Sequence, residues 1–216
     1  MITTNPVTLI LLMSALALLP FFLMMVTSYV KIVVVTTLVR NALGVQQVPP
    51  AMVLNGLAMI LTLFIMAPVG LASWKLVEDY DLRDTGDPAY FVTVVATASP
   101  PLRDFLARNT APQILGVFKA AAQRLWPPEF HPAIDEEGFL LLIPSFVLTE
   151  LTKAFKIGFL LYLPFIVIDL IISNILLAMG MMMVSPMTIS LPFKLLLFVT
   201  LDGWLKISQG LMYSYN

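Results

Sequence analysis

The sequence predicts an all-α, membrane-associated protein in which two long, kinked helical hairpins flank a small polar helical insert. Three observations carry that prediction. At 59% hydrophobic and 12% charged, 216 residues cannot close around one soluble core without leaving a large apolar area uncovered. Sixteen of the 25 charged residues lie between Lys75 and Glu137, whereas residues 1–30 and 41–74 carry none. Apolar sequence dominates again from Gly138 onward. The chain therefore divides into a hydrophobic hairpin over residues 1–72, a polar insert over 73–137 and a second hydrophobic hairpin over 138–216.

The first hairpin begins with an apolar run in which Ala15-Leu16-Ala17 superficially fits a leader cleavage site. No Lys or Arg precedes it and the run continues to Val30, so a retained membrane segment is expected in place of a cleaved leader. Val7 to Val30 spans roughly 36 Å as a helix and Ala51 to Ala72 roughly 33 Å, each enough for a hydrocarbon core of about 30 Å. Between them, "RNALGVQQVPP" places a helix stop at Gly44 and a restart at Pro49-Pro50. Lys31 and Arg40, nine residues apart, fall on opposite helix faces and suit either snorkelling to an interface or pairing between subunits.

The insert shows helical patterning in "PPLRDFLARN" and in "PQILGVFKAAAQRLWP", where Ile114, Val117, Phe118, Ala121 and Leu125 follow helical spacing. Its six Lys/Arg against ten Asp/Glu give a charge of −4, and this acidic excess favours the non-cytoplasmic side, the periplasm in a host with an outer membrane. "YDLRDTGDPAY" reads as a solvated loop whose aspartates have no histidine partner for catalysis.

In the last third, Lys156 to Asp169 encloses only twelve uncharged residues, Pro164 interrupts them, and Pro186 and Pro192 follow. Bent or half-length helices are expected there. One Asp or Lys at the centre of a membrane helix costs about 2.5–3.5 kcal/mol, so Lys31, Asp169, Lys194 and Asp202 cannot all face lipid. Asp169, Ser173 and Gly180 lie within about 40° on a helical wheel, forming a narrow face that should meet protein. Asp169 either pairs with a lysine of the bundle or couples proton movement.

Several function classes are excluded. A net charge of −1 provides no basic field for nucleic acid. With no cysteine and a single histidine, His131, neither a thiolate site nor a histidine-rich metal site is available. No phosphate-binding or dinucleotide glycine pattern occurs, and Asp169 and Asp202 lie in no protease motif, so neither a cofactor nor an enzymatic activity is expected. A secondary transporter stays as an alternative although it would show matched broken segments in two repeats and the two hairpins share no evident wording. A purely structural membrane scaffold remains the main alternative.

Specific strings go further than composition. "LVRNALGVQQVPPAMVLNGLAMILTLFIMAPVG", "PSFVLTELTKAFKIGF" and "LPFIVIDLIISNILLAMGMMMVSPMTISLPFKLLLFVTLDGW" closely resemble the FliP/SctR family of bacterial type III protein export. "GVQQVPP" and the expected lack of a cleaved leader resemble the injectisome branch more than the flagellar one. The resemblance implies a subunit of the inner-membrane export apparatus. Such a subunit forms a pentamer that winds with two smaller hydrophobic subunits into a helical pore, beside larger export-gate and switch subunits. Unfolded secreted proteins pass through it, and the hairpins sit largely on the periplasmic side of the bilayer, packed on neighbouring subunits. Glu150 and Lys153, in the second string, join Lys31, Arg40, Asp169 and Lys194 as buried or inter-subunit charges.

The stretch Leu176 to Lys194 holds five of the thirteen methionines and no charge before its last residue. From composition alone, methionine at helical spacing is core filler. The resemblance instead implies that Met179, Met181, Met182 and Met183, with Met187 at the margin, line the narrowest part of the conduit. A flexible thioether side chain can pack against its copies across a pore and yield to a passing chain. Gly180 and the Ser185-Pro186 step provide the hinge that takes the patch out of the helix.

Overall fold

The computed structural model describes residues 6–45, 48–80 and 88–215. All regular structure among them is helical: α1 (Pro6–Met25), α2 (Tyr29–Ala42), α3 (Ala51–Lys75), α4 (Pro88–Ala98), α5 (Pro100–Asn109), α6 (Pro112–Leu125), a 3-10 turn (Pro128–Ala133), α7 (Phe139–Ala178), α8 (Pro186–Thr200) and α9 (Gly203–Tyr213). By length and composition, α3 and α7 can each cross a membrane, and the bent pair α8–α9 forms a third candidate. The fold class expected from the sequence is the one observed.

The helix expected to run unbroken from Val7 to Val30 stops at Met25 and restarts at Tyr29. The interruption falls at Thr27 and Ser28, where the Thr27 hydroxyl accepts the Tyr29 N–H at 3.5 Å, a local bond that competes with the helical ladder. At the other end of α2, Gly44 adopts φ +76° and donates its N–H to the Asn41 carbonyl, ending the helix where glycine's tolerance of the left-handed region allows. Gln46 and Gln47, and residues 81–87 of the expected polar loop, lie outside the described residues.

The centre of the molecule is α2. Its buried residues Ile32, Val35, Val39 and Ala42 form one face against α7 and α3, joined by Leu61, Phe165 and Phe198. Gly158 permits the close approach of α7, since a Cβ there would lie 2.3 Å from Leu38 Cδ1. A second cluster, Val26, Leu106, Leu142 and Phe146, ties α5 to α7 beside the α1–α2 break.

One expectation is corrected, and the stripe of helical spacing on α6 is only partly covered. On α6, the half-buried Leu115 and the buried Ala122 turn inward, while Val117 and Leu125 are exposed. Ile114, Phe118 and Ala121 of that stripe are half-buried. In the last third, α7 runs unbroken for 40 residues through Pro144 and Pro164. At about 1.5 Å per residue it is about 60 Å long. Proline removes one hydrogen bond, and next to Pro164 the buried Phe165, with its ring centroid 6.5 Å from that of Phe198, packs this part of the helix against α8. The real breaks come later, after Ala178 and at Leu201-Asp202, where α9 bends 57° away from α8.

Candidate functional site

The methionine segment leaves α7 through a well-formed helix stop. Gly180 takes φ +72° and donates its N–H to the Leu177 carbonyl, while the Met181 N–H reaches back to Leu176 at 2.9 Å. These two bonds satisfy carbonyls that the helix end would otherwise leave open. A Cβ at Gly180 would meet nothing within 4 Å, so the requirement for glycine is one of dihedral angle, not of space. Val184 closes a further turn onto Met181, and Ser185 then leads into Pro186 at the first position of α8, where a missing N–H costs nothing.

The loop so formed presents its side chains outward. Met182 is 83% and Met183 101% exposed, with Met179, Met181 and Met187 also exposed. Gly180 sits beyond the end of α7, so it leaves the helical face it was expected to share with Asp169 and Ser173.

A polar cluster lies at the base of the loop. Lys194 Nζ contacts Asp169 Oδ2 at 2.6 Å, and the Ser190 hydroxyl donates to Asp169 Oδ1 at 2.6 Å. Lys194 also donates to the Ala42 carbonyl at 3.3 Å, placing its charge at the C-terminal end of α2, where the helix dipole favours a cation. Lys194 is nearly enclosed, whereas the Asp169 side chain is 42% exposed.

A second cluster lies between α2, α5 and α7. Lys31 Nζ approaches Glu150 Oε2 at 3.1 Å, and both side chains are fully buried. Lys153 contacts Glu150 Oε1 at 3.1 Å and donates to the Asn109 carbonyl at 2.8 Å. The Tyr215 hydroxyl donates to Glu150, and the Lys31 ammonium stands 3.4 Å above the Tyr215 ring centroid. Burial and, behind it, the Glu150 charge push the Tyr215 phenol far above its ordinary range, so it stays protonated and serves as a donor.

Arg40 stands apart, half-buried in the last turn of α2, with no carboxylate at ion-pair distance among the described residues. Asp202 takes the left-handed conformation at φ 51° and starts α9. Sequence reasoning missed Ser190 and Tyr215. Ser190 is signalled by its one-turn spacing from Lys194, while Tyr215, 65 residues from Glu150, leaves no local signal.

The FliP family model matches residues 12–211. The chain belongs to the FliP family. It is 50% identical over 215 residues to the "Yop proteins translocation protein R" of Yersinia pestis, covering 98% of this chain and 97% of that protein. It is 49% identical over 203 residues to the "Hypersensitivity response secretion protein HrcR" of Ralstonia nicotianae, covering 94% of each. It is 47% identical over 212 residues to the "Virulence protein YscR" of Salmonella typhimurium, covering 98% of each. These relatives are named for virulence, hypersensitivity and translocation, which agrees with the injectisome branch of this FliP-family chain. The two long apolar helices fit a membrane protein.

Proposed function

We propose that this FliP-family chain is a pore-forming subunit of the type III export gate, conducting unfolded secreted proteins across the bacterial inner membrane. Met179, Met181, Met182 and Met183 form a gasket that closes the channel, with Gly180 and Pro186 as its hinge. The reading rests on one observation above all. Large thioether side chains stand exposed on a loop whose exit from α7 and entry to α8 are both fixed by backbone hydrogen bonds and turn residues. A lone chain gains nothing from exposing them, whereas copies converging on an axis would pack them against one another and exclude water and ions.

In this reading the chain forms a pentamer, winds with two smaller hydrophobic subunits and meets larger export-gate and switch subunits. The hairpins over 1–72 and 138–216 pack on neighbouring copies, largely on the periplasmic side, and the 73–137 insert faces the periplasm. Arg40 and the exposed part of Asp169 are the charges offered to neighbours, while Lys31, Glu150, Lys153 and Lys194 hold the subunit together.

The test is ion and small-molecule leak across the inner membrane of cells carrying the assembled system, wild type against Met181→Ala/Met182→Ala/Met183→Ala, with assembly followed by native mass. The expected outcome is a raised leak from an intact complex. An unchanged leak with intact assembly would return the methionines to packing and make the chain a scaffold.

A further inference from the structure

Tyr215 follows α9 and sits where four parts of the chain converge. Its hydroxyl donates to Glu150 of α7 and lies 3.4 Å from the Ser28 carbonyl at the α1–α2 break. One ring face lies under the Lys31 ammonium of α2, and the ring stacks on Phe105 of α5 with centroids 5.8 Å apart and planes 21° from parallel. Ser28, Lys31 and Glu150 are all fully buried.

The rest of α9 is held differently. Ile207 and Leu211 are buried in the main core, with Trp204 and Met212 packed beside it. Apolar contact of this kind is non-directional, and it leaves a short helix free to slide or rotate by small amounts. The bonds to Tyr215 are directional, since both a hydroxyl and a ring plane must meet fixed partners. The bent pair α8–α9 is thus tied near its start by Lys194 to Asp169 and at its far end by Tyr215 to Glu150, with the 57° bend between.

We propose that Tyr215 is a latch that fixes the register and tilt of α9 by docking into the buried Lys31–Glu150 pair, so that release of this one side chain frees α9 without unfolding α2 or α7. The inference does not depend on the role of the methionine loop. A leak test that fails leaves it standing, and the reverse also holds.

The experiment is amide hydrogen exchange on the full chain purified from membranes, comparing wild type, Tyr215→Phe and Tyr215→Ala. Tyr215→Phe keeps the ring and removes the donor to Glu150. The expected result is exchange through the last turns of α9 faster by about tenfold, the worth of one hydrogen bond to a charged acceptor, with α2 and α7 unchanged. Tyr215→Ala should accelerate α9 further. No change in α9 in either variant would overturn the proposal, and so would acceleration spread evenly over all helices. A change in Tyr215→Ala alone would assign the hold to ring packing and overturn the hydrogen-bonded latch.

Discussion

Fully buried itself, Glu150 neutralises Lys31, faces Lys153 and receives the Tyr215 hydroxyl. Two charges removed from water gain little net stability from each other, but stranding one of them is expensive. Glu150→Leu leaves the buried Lys31 ammonium without its carboxylate, and should cost about 3–5 kcal/mol in unfolding of the solubilised protein. Lys31→Met should cost less, because Glu150 keeps Lys153 and Tyr215, and the double variant should recover part of the Glu150→Leu loss. The Lys119–Glu136 pair on the insert supplies the control, since both side chains are substantially exposed and Lys119→Ala should cost under about 1 kcal/mol. A Glu150→Leu variant no less stable than Lys119→Ala would show that the buried cluster contributes nothing to the fold.

At the scale of helices, the α2–α7 crossing rests on one missing side chain. A Cβ at Gly158 would lie 2.3 Å from Leu38 Cδ1 and 3.1 Å from Leu38 Cβ, so Leu38 cannot escape by rotating its far end alone. Gly158→Ala should therefore push the helices apart and cost about 1–3 kcal/mol, as overpacking of a close contact does. Leu38→Ala should restore most of that loss in the double variant, and thermal unfolding of the four proteins reads the coupling; strictly additive losses would place the strain elsewhere. The same dependence on neighbours decides which elements were legible beforehand. Helices α5 and α6 begin at Pro100 and Pro112, where the sequence places them, because proline at a first turn is a local rule. The stop at Gly44 and the restart at Ala51 follow for the same reason. The continuity of α7 through Pro164 was not legible, because the outcome at an interior proline depends on tertiary packing, which here includes Phe198, 33 positions beyond Phe165. The methionine loop was legible as residues and as a break, whereas the Tyr215 contact with Glu150 was not.

For the molecule as a whole, the decisive quantity is surface. The chain exposes 14,553 Å², against about 9,900 Å² expected for a compact monomer of 23.9 kDa. Much of the excess is apolar, with Leu63 and Phe64 on α3, Phe159 and Leu160 on α7, and Leu196 and Val199 on α8 all facing outward. Lipid could cover the faces of α3 and α7, and its headgroups could meet Arg40 at an interface, but hydrocarbon offers no partner to the Asp169 side chain, which is 42% exposed. Polar groups set among apolar ones are better matched by protein than by hydrocarbon, and an excess of roughly 4,700 Å² on one chain is more than the roughly 1,000–2,500 Å² that each partner gives to an obligate interface. The full chain extracted in mild detergent should therefore run as an oligomer whose native mass is a multiple of 23.9 kDa after correction for bound detergent and lipid. Reversing the charge offered outward, by Asp169→Lys, should dissociate that species as well as disturb Lys194, whereas Lys119→Glu on the insert should leave it intact. A wild-type chain that stays monomeric at micromolar concentration would mean that lipid alone satisfies these faces, and the oligomeric gate would lose its physical basis.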